Sequence, residues 1–298
     1  MAAKILISGA TGYVGRVLIR NLVQRGKDVR AGVHKEDKSD LLKMTGVELA
    51  KLEYEDFATI DRALQEIETL FLVTPYAREQ VEYAKRMIDH ASLFGVSHIV
   101  YLSIMGADQE PGTQFSRWHR RVEKYLEASS VAYTVLRSNI YMQNFLRFIQ
   151  PSGGLIYIPM NGAKVSYIDV RDVAAVASEV ILAGKEHFGN TYELTGPFAL
   201  SMDDVADILT EAVGSHFGYI NIPQDTARHI MESLGTPGWL VEGMLELYAM
   251  QRSGINERVT ALVEEITSKK PIPFDQFAND YGNVFKAIVQ QEHHTYLS

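Results

Sequence analysis

Ile5-Leu6-Ile7-Ser8-Gly9-Ala10-Thr11-Gly12-Tyr13-Val14-Gly15 places a run of aliphatic residues directly before three glycines spaced three apart. Val14, Leu18 and Leu22 then recur at four-residue intervals, so an amphipathic helix opens within the glycine turn. A strand that turns tightly into a helix delivers outward-pointing backbone N–H groups to the positive end of the helix macrodipole. Glycine at 9, 12 and 15 removes the side chains that would keep a pyrophosphate away. A glycine-rich turn can also pack helix on strand and bind nothing. Here the turn follows the first strand and lies about 20 residues before the end of a second, which is the context of a dinucleotide-binding fingerprint.

Working outward, runs rich in β-branched and aliphatic residues recur at 4–8, 29–33, 47–52, 69–73, 98–103 and 132–137. Both faces of each run are apolar, as in strands of a parallel sheet covered on both sides. Helical patterns lie between them, carried by Val81, Lys85 and Ile88 and then by Val122, Leu126 and Ser129. The alternation predicts right-handed βαβ crossovers, hence an α/β fold with a Rossmann-type doubly wound parallel sheet. After residue 138 the rhythm breaks: Pro151, Gly153, Gly154, Pro159 and Gly162 surround a short apolar run at 155–158, which reads as a loop-rich excursion. A helix over 172–182 and a closing strand over 191–194 follow. Ser201-Met202-Asp203-Asp204 has the spacing of a capping box. The remainder reads as helices and loops, with Leu240, Met244, Leu247 and Met250 as an apolar stripe. His293-His294 lacks the residue spacing of a metal site and reads as a mobile tail.

Composition excludes several classes. With 298 residues, 46% of them hydrophobic and 22% charged, the chain can bury a large core. Its 29 basic and 37 acidic side chains give a net charge of −8, so it carries no electrostatic footprint for nucleic acid. The absence of cysteine removes disulfides, thiolate nucleophiles and cysteine-held metals, and leaves a cytoplasmic location as the expectation. The first apolar stretch is too short for a signal segment. No segment reaches the roughly 18 apolar residues of a membrane span, so no membrane partner is expected.

An NAD site usually ends its second strand with a carboxylate that binds the ribose 2′-hydroxyl. Ala31-Gly32-Val33-His34-Lys35-Glu36 stands there instead, and a cation at Lys35, with His34 beside it, would pair with a 2′-phosphate; NADP is preferred on charge. A solvated charged loop is the plainer alternative. Thr74-Pro75 ends the fourth strand at the carboxyl edge, where ligands of open α/β sheets bind; the proline also simply ends a strand.

Short-chain dehydrogenases commonly activate a Tyr with a Lys one helical turn later, yet none of the 15 tyrosines has Lys four residues on. The helix after the fifth strand carries His119 and Glu123 at i,i+4, so the carboxylate could orient or charge the imidazole as proton donor; a surface salt bridge is the alternative. Asn139, Gln143 and Asn144 follow the sixth strand, where a substrate would sit, although Ser138 or Asn139 could equally cap a helix.

Ser8 to Gly15, Phe115-Ser-Arg-Trp-His-Arg-Arg-Val-Glu-Lys-Tyr-Leu126, Tyr133 to Asn144 and Tyr192-Glu-Leu-Thr-Gly-Pro197 together resemble the NmrA-like family of atypical short-chain dehydrogenases, which includes NAD(P)H:quinone, triphenylmethane dye and azo dye reductases. The resemblance implies a Rossmann core over 1–195 and a smaller, mostly helical substrate lobe over 196–298. The excursion at about 140–170 would contribute to the pocket between them. It implies Gly9, Thr11, Gly12, Tyr13 and Val14 at the phosphates, His34 and Lys35 at the 2′-phosphate, and Ser103, His119, Tyr141 and Asn144 facing nicotinamide and substrate. Two positions depart from the family pattern: His34 where many members carry Arg, and Glu53 where an Asp often meets the adenine amino group. Loss of the Tyr and Lys pair fits acceptors that are already electrophilic, such as quinones and dyes, which need less acid catalysis than ketones. The implied partner is a small-molecule electron acceptor, and the implied assembly a monomer or homodimer. The family also contains redox-sensing regulators that bind the nucleotide without turnover and reductases of imines or activated double bonds in secondary metabolism.

Overall fold

The computed structural model describes residues 5–34, 47–147, 149 and 151–295, with side chains to residue 289. Eight strands follow the apolar runs: β1 (Ile5–Ile7), β2 (Val29–Val33), β3 (Glu48–Lys51), β4 (Thr69–Leu72), β5 (His98–Ile104), β6 (Ala132–Ser138), β7 (Leu155–Ile158) and β8 (Thr191–Leu194). All but β7 form one parallel sheet in the order β3-β2-β1-β4-β5-β6-β8. The chain runs outward from β1 through β2 to β3, then returns to place β4 on the other side of β1. That reversal opens a crevice at the carboxyl ends of β1 and β4.

Helices cover both faces. On one, α1 (Tyr13–Gln24) packs beside a helix near residue 175; on the other lie α2 (Phe57–Leu64), α3 (Gln80–Leu93) and α4 (Gln114–Glu127). The helix near 175 is α5 (Val170–Ala183), two residues longer at its start than the sequence pattern, because Asp169 caps it by accepting from Arg171 N–H at 2.8 Å.

A further apolar core draws residues from two stretches, Met142 to Tyr167 and Met202 to Ile288. The chain here forms α6 (Met202–Val213), β9 (Gly218–Asn221), α7 (Gln224–Ser233), α8 (Gly238–Arg252), α9 (Leu262–Thr267), α10 (Phe274–Asp280) and α11 (Gly282–Thr295). All of these but α9 build that core together with β7, whereas α9 packs through Val263 on the core of α1 and α5. The capping box at α6 forms as expected, Ser201 Oγ accepting from Asp204 N–H while Asp204 accepts from Ser201 N–H. Three expectations are corrected. The stretch after residue 138 contains a strand, because β7 pairs in parallel with β9, whose four half-exposed residues carry too little apolar pattern to be read. The stripe on α8 is displaced: Val241, Leu245 and Tyr248 face the lobe core, whereas Gly243 and Met250 face α4 and the loop after β5, so the helix is buried on two sides. His293 and His294 fall within helix α11 instead of a tail, at positions whose side chains lie outside the described residues.

Asp172 ties the lobe to the sheet by accepting the Ile272 N–H at 2.8 Å. Burial pushes its carboxyl pKa up to about 7 against an ordinary 3.8, with the Ile272 bond opposing. A folded-state pKa raised above the unfolded value means that the native state holds a proton the unfolded chain releases. The associated stability is present below about pH 4 and is lost as pH rises through about 7. Asp172→Asn keeps the acceptor oxygen and removes the charge. We expect it to raise the thermal midpoint at pH 8 and not at pH 4; equal shifts at both would contradict the assignment.

Candidate functional site

At the carboxyl end of β1, Ser8 Oγ accepts the Val73 N–H at 2.8 Å and lies 3.0 Å from the Val73 carbonyl. That staple fixes the β1 and β4 ends against each other and sets the crevice floor. Gly9 follows at φ +60, a conformation that favours glycine, with Val73 against it. Gly12 is the N-cap of α1, bonds back to the Gly9 carbonyl at 2.9 Å, and supplies no side-chain cap; the first turn holds no acidic residue. A Cβ on Gly15 would lie 2.4 Å from the Gly9 carbonyl oxygen, so helix and turn touch backbone to backbone. The helix start therefore presents uncapped N–H groups over a surface that no side chain covers. This is the geometry a pyrophosphate requires, and Thr11, Tyr13 and Val14 lie along it.

At the neighbouring strand ends, His34 is exposed just beyond β2, and Lys35 lies outside the described residues. Glu53 follows β3; its carboxylate pairs with Lys51 at 2.7 Å, and its backbone brackets the Thr59 hydroxyl. After β4 the Val73 carbonyl also accepts from Tyr54, and the chain continues through Thr74 and Pro75 to Tyr76.

Helix α4 lies across the next part of the edge. Its His119 is half-buried, and Nδ1 meets the Tyr101 hydroxyl at 2.7 Å. Burial lowers the imidazole pKa to about 4, with the Glu123 charge acting in the opposite sense, so the ring is neutral at physiological pH. Tyr101 is fully buried on β5, its phenol held well above the ordinary range by burial, while the Thr74 hydroxyl hydrogen-bonds its oxygen. Among the described residues, His119 Nε2 has no hydrogen-bond partner.

Of the two effects expected from the i,i+4 spacing, the Glu123 charge does act on the imidazole, but the carboxylate makes no hydrogen bond to it. Glu123 is 1% exposed and accepts two bonds from Arg137 (3.0 and 2.8 Å), one from Arg120 (3.1 Å) and one from the Ser103 hydroxyl (2.7 Å). Ser103, expected to face nicotinamide and substrate, is also 1% exposed and spends its hydroxyl hydrogen on Glu123. The reason lies in the sheet register, which sets Ser103 opposite Arg137 and Arg137 opposite Glu193. A buried guanidinium at that level requires a carboxylate, and Glu123 is the one above it.

Tyr141 receives a bond from Ser138 Oγ at 2.9 Å, and burial pushes its phenol up to about 12. Tyr76 is 63% exposed, yet burial and the nearby Tyr141 push its hydroxyl up to about 12 as well. The Tyr76 ring meets Phe115 edge-on at 5.2 Å, and Phe115 stands one turn before His119. Tyr76 thus lies near Tyr141 and Phe115, while Thr74 and His119 share Tyr101. Asn144 is half-buried on the turn after Tyr141. Asn139 and Gln143 serve the scaffold, Asn139 bonding Ser166 and Asn256 and Gln143 accepting the Val170 N–H.

Two participants escaped the sequence reading. Tyr101 sits in an apolar run and looks like core. Tyr76 follows Pro75 as a lone aromatic in a connecting stretch, with no spacing to single it out. Among the described residues, no three His, Asp or Glu side chains converge as metal ligands, and no helix is long and apolar enough to cross a membrane.

A model of the NmrA-like family matches residues 1–278. An NAD(P)H azoreductase of Xenophilus azovorans is 32% identical over 285 residues, covering 95% of this chain and 99% of that protein. A (4-alkanoyl-5-oxo-2,5-dihydrofuran-3-yl)methyl phosphate reductase of Streptomyces griseus is 31% identical, covering 94% and 99%. The solved NADPH-dependent quinone oxidoreductase of Escherichia coli, complexed with NADPH, superposes with a TM-score of 0.83 at 25% identity, over 93% of this chain and 99% of that one.

Proposed function

The chain belongs to the NmrA-like family, and from that premise we propose that it transfers hydride from NADPH to a quinone-like or dye-like electrophile. Its relatives support an NAD(P)H-dependent reductase, and the carrying observation in the chain itself is the uncapped start of α1 against bare Gly9, Gly12 and Gly15. Gly9, Thr11, Gly12, Tyr13, Val14 and Gly15 hold the diphosphate, Thr74 and Pro75 border the nicotinamide end, and Glu53 stands near the adenine. His34 and Lys35 are assigned to the 2′-phosphate, which makes NADPH the preferred form. When bound, the nucleotide supplies the hydride; the protein orients the acceptor and stabilises the charge that develops on it.

In this reading Tyr76, Tyr141 and Asn144 flank the acceptor, and residues 1–195 carry the nucleotide while 196–298 close over the substrate. His119 is too poor a base to be an imidazolium at neutral pH and works as a neutral donor through Nε2. Such a donor suffices for an acceptor whose reduced form is a stabilised anion. The Streptomyces relative favours a second reading on the same cleft, reduction of an activated double bond.

Steady-state oxidation of NADPH against azo dyes, quinones and an activated enone tests the reading. We expect turnover with at least one class, and tighter binding of NADPH than of NADH. Absence of turnover with every acceptor, together with preference for one redox form, would replace it with a nucleotide-sensing regulator.

A further inference from the structure

We propose that Tyr101 is a positioning residue, whose hydroxyl donates to His119 Nδ1 and thereby fixes the imidazole as the tautomer with its proton on Nε2. The inference rests on the reductase reading only for its consequence in turnover; the tautomer itself is a property of the protein alone.

Three observations carry it. The Tyr101 oxygen is fully buried, and within its reach are the Thr74 hydroxyl and His119 Nδ1, the latter at 2.7 Å. With the Thr74 hydroxyl able to donate to that oxygen, the single phenolic hydrogen is free for the ring nitrogen at 2.7 Å. A neutral imidazole has one donor and one acceptor nitrogen, so a Nδ1 that accepts obliges Nε2 to carry the proton. Nε2 is the nitrogen that no described residue engages.

The arrangement also explains why a fully buried tyrosine stands among the aliphatic residues Ile99, Val100 and Leu102 of β5. Ser103, two positions on along the same face of β5, is bound to Glu123, one turn beyond His119 on α4. The strand thus grips the helix at two points, and only the Tyr101 contact leaves a polar atom free on the helix side. Thr74 belongs to the loop that borders the crevice, so the relay joins the nucleotide edge to the donor: Thr74 to Tyr101 to His119. A hydrogen-bond donor locked in place gains most where charge develops in the acceptor, because no reorganisation is then required.

Long-range proton–nitrogen correlation on protein labelled with 15N-histidine reads the tautomer directly, the His119 signals being identified by difference against His119→Gln. The expected spectrum at pH 7 shows Nδ1 unprotonated and Nε2 protonated, in one form. In Tyr101→Phe that pattern should give way to a mixture of tautomers, and kcat should fall on the order of tenfold to a hundredfold, a part of what general-acid help supplies, with KM for NADPH unchanged. A wild-type His119 protonated on Nδ1 would overturn the proposal, as would a Tyr101→Phe protein with unaltered spectrum and kcat. Should that variant fail to fold, the wild-type spectrum alone decides. If the wild type shows the expected tautomer yet turns over no acceptor, the reductase reading falls and the Tyr101 assignment stands.

Discussion

Gly15→Ala is expected to produce a folded protein that binds NADPH at least about a hundredfold more weakly, close to 3 kcal/mol of binding free energy. The added Cβ would lie 2.4 Å from the Gly9 carbonyl oxygen and 3.1 Å from the Ala10 Cα. Neither atom is the end of a flexible side chain, so the clash is relieved only by sliding the first turn of α1 away from the β1 turn. Because Gly12 is the N-cap and Arg16 N–H closes the first helical bond onto it, the whole set of uncapped N–H groups moves with that turn. Overpacking of this kind costs about 1–3 kcal/mol of stability, which the native state can absorb, whereas the displaced anion site loses its alignment outright. Gly238→Ala is the control: nothing lies within 4 Å of its Cβ position and its φ is not positive. Calorimetric titration of both variants, with circular dichroism to establish folding, checks the expectation. Equal affinity in Gly15→Ala and wild type would show that the diphosphate does not lie on this turn.

The parts of this molecule that could be read in advance are those in which local pattern and burial coincide. The inner strands of the parallel sheet are covered by helices on both faces, so β2 was placed to the residue; β8, a partly exposed edge strand, was bounded by Gly196-Pro197, and the glycine turn announced itself through its spacing between a strand and a helix. Strand β9, Gly218–Asn221, escaped because half its residues face solvent and a four-residue segment has no period to detect. The polar residues of the site were harder for a different reason. Spacing on α4 puts His119 and Glu123 on one face, but which partner each takes depends on what the sheet sets opposite them. Arg137, fourteen positions further along the chain on the next strand, captures Glu123, and Tyr101, outwardly an ordinary core residue, captures His119. Sequence gives the direction of a Cβ; it does not give the destination of a hydroxyl or a guanidinium.

Arg137→Met is therefore expected to be the most destabilising single change in the sheet core, costing about 3–5 kcal/mol, because it leaves the Glu123 carboxylate buried without its two-pronged partner. Arg120 would remain at 3.1 Å, but that side chain is 27% exposed and shared with Glu127, so it replaces little of the lost interaction. The Ser103 hydroxyl supplies a hydrogen bond and no charge. Asp108, whose acidity Arg137 increases against the opposing effect of burial, would lose its partner at 2.6 Å, whereas Glu193 keeps Arg258. A loss of that size corresponds to a fall of roughly 6–15 °C in the thermal midpoint. The double variant Arg137→Met with Glu123→Leu separates two explanations. If the cost is an orphaned buried charge, removing the carboxylate as well recovers most of the midpoint, since apolar side chains of similar volume can replace a buried ion pair with little net loss. If the double variant is as unstable as the single one, the guanidinium acts through packing, and the ionic account of this cluster fails. The same pair bears on turnover. Glu123 and His119 share one helix, so a recovered midpoint with depressed kcat would mean that Arg137 holds α4 at the height where Tyr101 can reach the imidazole.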